Sequence, residues 1–166
     1  MIDLYAQALY QSAQDVLVCY DALDSLNKVT TSIERFVNRC EQSQQFYGEV
    51  LEIFEETYPK ELVSFINVLY EDGMLRQIPR ILEYYRDELI NDNKLCVARI
   101  EMSKELSNQF KERIEALIKE EHPMRLEMTY VLNEDLIGGL RVTINHQQFD
   151  LSYLGKLQSI VSEVRS

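Results

Sequence analysis

The sequence is poor in the side chains that hold metal ions and perform nucleophilic chemistry. It has two histidines, His122 before a proline and His146 in an expected turn, and three widely separated cysteines, Cys19, Cys40 and Cys96, with no C-x-x-C. A zinc site needs several ligands at workable spacing and a redox pair needs neighbouring thiols, so neither is expected. The cysteines read as small apolar residues in a reducing cytosol. No Ser-His-Asp or Cys-His arrangement can be traced. The carboxylate pairs Glu55-Glu56 and Glu120-Glu121 are adjacent, and adjacent residues on a helix diverge by about 100° and cannot act on one proton. The chain therefore reads as no enzyme, with no cofactor and no metal.

Basic residues are scarce as well. Lys and Arg number 17 against 28 Asp and Glu, a net charge of −11. The excess is concentrated early: residues 1–94 carry 17 acids and 8 bases, whereas residues 95–166 carry 11 and 9. Such a surface repels phosphate backbones and anionic lipid, so neither nucleic acid nor a bare membrane is an expected partner. A basic protein segment would be steered toward the first half. No run approaches the roughly 18 consecutive apolar residues of a membrane-spanning helix. The opening MIDLYAQALYQSAQDVL lacks a basic region and an unbroken apolar core, so a secretory signal is not expected. Membrane association would come only through partners.

What is present is periodic apolar content, 46% of the chain. Residues 2–20 predict a helix, with Ile2, Ala6, Leu9, Ala13, Val16, Leu17 and Tyr20 at three- and four-residue steps. Residues 21–40 continue helically, weakened at Thr30-Thr31 by β-branching. Two short pieces, 42–47 and 49–56, are expected around a turn at Gly48. Pro59 opens a helix whose buried side is Leu62, Phe65, Ile66 and Leu69, with Gly73 as its left-handed stop. Another helix runs from Ile78 to Asn91. The pattern then changes. LCVARIEM alternates as a strand; Ser103 is expected to cap a helix over 104–121; RLEMTYVL, LRVTI and QQFD predict three more strands. A last helix from about Asp150 carries Leu154, Leu157, Val161 and Val164. The fold class expected is α+β: an N-terminal six-helix bundle over residues 1–93, then a small C-terminal domain over 94–166 with a mixed β-sheet and two helices, hinged near Asn91-Asp92-Asn93.

The pair Gly138-Gly139 deserves a choice between phosphate loop and turn. A phosphate cradle precedes a helix N-terminus, but this pair precedes a strand and follows Glu134 and Asp135, whose charges oppose a polyphosphate. A turn or close-packing role is expected. The remaining candidates are protein-binding surfaces. Tyr5, Ala8 and Ser12 form a narrow second face of small residues on the first helix, suited to the close approach of an amphipathic helix.

Two stretches carry a resemblance. LYEDGMLRQIPRILEYYRDEL, residues 69–89, resembles the "E-N-G-R-L…I…F" hinge of the delta subunit of rotary F-type ATP synthases, the family that includes the mitochondrial oligomycin-sensitivity-conferring protein. LEMTYVLNEDLIGGLRVTINHQQFDLSYLGKL, residues 126–157, is similar to its C-terminal signature, with Gly138, Gly139, Asp150 and Ser152 in step. Tyr5-Ala6-x-Ala8-Leu9 matches its "Y-A-x-A-L" opening. Thr143, Phe149 and Met74 depart from the pattern.

The resemblance implies a peripheral-stalk (stator) subunit on the cytoplasmic side of a bacterial membrane, needed to couple proton transport to ATP synthesis. It implies alpha subunits of the catalytic head as partners of the first domain and b subunits as partners of the second. Tyr5, Ala8 and Ser12, with Ile66 and Leu69 across from them, would line the groove for an alpha-subunit helix. Ile160 and Val164 would face a b subunit. The alternative left by composition alone is an unrelated cytosolic adaptor whose bundle binds an amphipathic basic helix.

Overall fold

The computed structural model describes residues 1–29, 33–136 and 139–150. Among these residues there are seven α-helices and a four-stranded mixed sheet, an α+β architecture. The chain divides into two compact units, the first Met1–Asn91 and the second beginning at Asp92. Asn93 at the junction has a positive φ of 54°, a conformation that Asn tolerates better than most residues.

The first unit contains α1 (Ile2–Ser12), α2 (Val16–Val29), α3 (Ile33–Gln42), α4 (Gln44–Thr57), α5 (Lys60–Glu71) and α6 (Ile78–Asn91), with a short 3-10 turn at Leu75–Gln77. Its core is formed by Ala6, Leu9, Leu23, Leu26, Leu62, Ile66, Leu69, Ile78, Ile81, Tyr85 and Leu89, each with 1% or less of its surface exposed. The helix expected over 2–20 is two helices. Asp15 accepts hydrogen bonds from the backbone N–H groups of Leu17 (2.9 Å) and Val18 (3.1 Å), an N-cap that starts α2 afresh. The turn expected at Gly48 is absent. Ser43 caps α4 by accepting from Phe46 N–H, and Gly48 lies inside that helix with open space where a Cβ would stand.

α5 ends in a Schellman cap. Met74 N–H donates to Leu69 C=O (2.7 Å) and Gly73 N–H to Tyr70 C=O (3.1 Å), with Gly73 at φ +67°. This pattern satisfies carbonyls that a helix end otherwise leaves open.

In the second unit the strand order is β2-β1-β3-β4. The strands β1 (Leu95–Met102), β2 (Arg125–Leu132), β3 (Leu140–Ile144) and β4 (Gln147–Asp150) lie where alternation predicts them. β1 is parallel to β2 and antiparallel to β3, which pairs antiparallel with β4. α7 (Asn108–Glu121) joins β1 to β2, as parallel neighbours require a crossover. Ile114 and Ile118 of α7 pack on Cys96, Ala98, Ile100 and Val142 of the sheet. α7 starts later than the expected residue 104: its cap is Ser107, which accepts from Phe110 N–H, not Ser103. The expected final helix lies outside the described residues.

Leu69 is fully buried in the first unit. Leu69→Ala should therefore lower its stability by about 2–5 kcal/mol, the usual cost of lost packing plus a cavity. Chemical denaturation followed by circular dichroism of the full chain checks this.

Candidate partner-binding groove

α1 packs chiefly on α6 and makes a slighter contact with α5. Its buried residues are Ala6 and Leu9, so Tyr5, Ala8 and Ser12 fall beside the core stripe. There an open, mainly apolar groove of about 740 Å³ runs between α1 and α5. Met1, Leu4, Tyr5, Ala8, Leu9 and Ser12 line one side, and Glu61, Ser64, Phe65 and Val68 the other. Met1, Leu4 and Val68 are 80%, 61% and 46% exposed. Exposed apolar side chains grouped in this way make the groove a candidate interaction surface.

Three of the five groove residues named from sequence, Tyr5, Ala8 and Ser12, are in the lining. Ile66 and Leu69 are not. They are 1% and 0% exposed, turned into the unit, and the α5 face of the groove is formed by Glu61, Ser64, Phe65 and Val68 instead. Period alone marks Leu62, Phe65, Ile66 and Leu69 as one stripe, and the groove lies along its edge, about 100° away for a neighbouring residue. Val68 was the available signal: an apolar residue outside the buried stripe.

Two polar side chains of the groove, Ser12 and Tyr5, have partners within the unit. Ser12 Oγ donates to Leu9 C=O (3.1 Å). Tyr5 Oη donates to Asp72 Oδ2 (2.7 Å), and the Tyr5 ring stands edge-on to Phe65 with centroids 6.4 Å apart. The hydrogen bond to Asp72 raises the Tyr5 pKa above its ordinary value. Glu61 is the only charged side chain in the lining besides the N-terminal ammonium of Met1, which is paired with Asp3. The groove thus combines an apolar floor with a carboxylate at its edge.

The remaining sequence candidates belong to the second unit. Gly139 is exposed at φ +85°, with no atom within 4 Å of where a Cβ would stand. Its glycine meets a backbone requirement rather than close packing, and a strand follows it. Asp150 ends β4. Gly138, Ser152, Ile160 and Val164 lie outside the described residues. Among the described residues no group of His, Cys, Asp and Glu is placed to hold a metal ion, and no helix is long and apolar enough to cross a membrane.

A model of the family described as ATP synthase delta (OSCP) subunit matches residues 3–164. The chain belongs to this family. A stator subunit of ATP synthase is its function, and it is not itself an enzyme. A relative named ATP synthase subunit delta from Neisseria meningitidis (serogroup A, serotype 4A) is 24% identical over 161 residues, spanning 94% of this chain and 91% of the relative. The cyanelle ATP synthase subunit delta of Cyanophora paradoxa is 25% identical over 168 residues, spanning 94% and 88%. A chain in the cryo-EM structure of the Toxoplasma gondii mitochondrial ATP synthase hexamer superposes with a TM-score of 0.70, over 100% of this chain and 98% of that one. At 20% identity that likeness speaks for the fold.

Sequence reading did not find the charge network on the sheet face opposite α7. Glu101 accepts from Asn133 (3.1 Å) and Arg141 (3.2 Å) through Oε2, and from Arg99 (3.2 Å) through Oε1. Asn133 first, then the two arginines, hold the Glu101 carboxyl below its ordinary 4.5. A depressed carboxylate contributes stability above that ordinary value and loses it as pH falls through the folded one. Glu101→Gln should therefore flatten the acid limb of the stability profile below about pH 4.5, read from denaturation midpoints at successive pH values. Wild-type steepness in the variant would show that the network carries no such linkage.

Proposed function

We propose that the first unit is the six-helix bundle that grips the catalytic head of the ATP synthase, receiving an alpha-subunit N-terminal helix in the α1–α5 groove. The second unit holds the b subunits of the peripheral stalk. The chain thereby joins static parts of the enzyme against the torque of the rotor, and proton transport stays coupled to ATP synthesis. It reaches the cytoplasmic side of the bacterial membrane through these partners.

The observation that carries this reading is the open groove beside Ala8, in a chain of the delta (OSCP) family. An incoming amphipathic helix that buries four apolar anchors gains about 6–12 kcal/mol gross, at about 1.5–3 each. Association itself costs about 4–15 kcal/mol, so the groove alone binds only moderately. A second grip on the same complex raises effective concentration and supplies the rest. Two separate units suit that division of labour. The acidic first half and Glu61 at the groove favour a helix that also carries basic residues.

Ala8 is exposed, so Ala8→Arg should leave the fold intact while blocking the groove. Titration calorimetry against a synthetic alpha-subunit N-terminal peptide should show affinity reduced at least about tenfold, the loss of roughly one buried anchor. Unchanged affinity in a folded variant would remove the groove from the account. Val68→Asp should behave alike, with much less effect on stability than Leu69→Ala.

A further inference from the structure

The α1 and α5 walls of the groove meet at Tyr5, whose ring stands edge-on to Phe65, and the spacing of the two helices sets the width of the groove. Ser12 spends its hydroxyl on its own helix. A side-chain hydrogen bond joins α1 to the C-cap of α5: Tyr5 Oη donates to Asp72 Oδ2, 2.7 Å, between residues 67 apart in sequence. We infer that this bond is a clip that fixes the α1–α5 spacing, and that Tyr5 and Asp72 are positioning residues for the partner helix. The inference rests on the groove reading proposed above.

Both ends of the clip are anchored. Asp72 is the C-cap residue of α5, with its own N–H donating to Val68 C=O (3.0 Å). The Schellman bonds from Gly73 and Met74 follow immediately, and Gly73 at φ +67° is the glycine that such a cap requires. The Asp72 carboxylate therefore projects from a fixed backbone. Tyr5 is held by its ring against Phe65, itself part of the groove wall. A phenol donating to a carboxylate is a charge-assisted bond, stronger than a neutral pair. Because α1 is otherwise secured on α6, with the Tyr10 ring edge-on to Tyr85 (centroids 5.2 Å) and Gln7 donating to Glu88 (3.2 Å), breaking the clip would loosen the groove without unfolding the unit. A preorganised groove binds more tightly than one the partner must shape.

The test is a set of variants of the full chain, each titrated with the alpha-subunit N-terminal peptide and melted in parallel. Tyr5→Phe keeps the ring on Phe65 and loses only the hydroxyl. Asp72→Ala loses the acceptor, and Asp72→Asn retains one. The clip predicts that Tyr5→Phe and Asp72→Ala each weaken binding about three- to tenfold, that the double variant is no weaker than either single one, and that Asp72→Asn restores most of the affinity. Unfolding midpoints should move little. Weakening by Tyr5→Phe but not by Asp72→Ala would mean that the hydroxyl touches the partner directly, and overturns the clip. So would lowered midpoints with unchanged affinity, or no change in either. If the wild-type chain does not bind the peptide while Asp72→Ala melts normally, the groove reading itself fails, and the clip falls with it.

Discussion

The structure depends on how one short helix divides its surface. α1 buries Ala6 and Leu9 completely and leaves Ala8 and Ser12 exposed. The helix packs chiefly on α6 and only slightly on α5, which leaves its other face open. The open groove is thus a consequence of where the core lies. Small residues keep it wide, and the Tyr5–Asp72 bond spans its end.

A stator subunit has no bond to make or break. Its task is to remain attached while a rotor pulls on its partners, which favours several moderate contacts over a single tight one. The first unit offers an apolar groove with an acidic setting. The second offers a sheet whose one face is packed by α7 and whose other carries the Glu101, Arg99 and Arg141 network. That network also fixes Asn133, whose N–H donates to Met102 C=O and steers the chain away from the end of β2.

Much of this fold was legible in the residues. The four strands begin and end where alternation and turn residues place them: period two is unambiguous over the eight residues of β1 and of β2, and the short β3 and β4 are set off by the turn at Asn145-His146. Helices with a proline at the start or a glycine after the end, α5 above all, were equally clear. The errors share a cause: apolar spacing can run through a real break. Leu9, Ala13, Val16 and Leu17 keep helical steps although Asp15 caps a new helix, and Leu106 continued the stripe of α7 ahead of its true cap at Ser107. Gly48 shows the opposite error. A glycine in a helix interior costs only about 1 kcal/mol relative to alanine, and packing of Tyr47 in the core outweighs it. In the groove, the α1 side was readable from its small residues. The α5 side was not, because period fixes a stripe but not which of its two edges stays open; Ile66 and Leu69 went to the core and Val68 to the surface.

The central claim is that the α1–α5 groove meets the catalytic head. It is tested most directly by photo-crosslinking in the assembled enzyme, with a benzoyl-phenylalanine placed at Val68 and, as a control, at Ile53, which is exposed on α4. The account predicts that position 68 crosslinks to N-terminal residues of an alpha subunit and position 53 does not. Crosslinks from position 68 to any other subunit, or alpha-subunit crosslinks from position 53 alone, would contradict it.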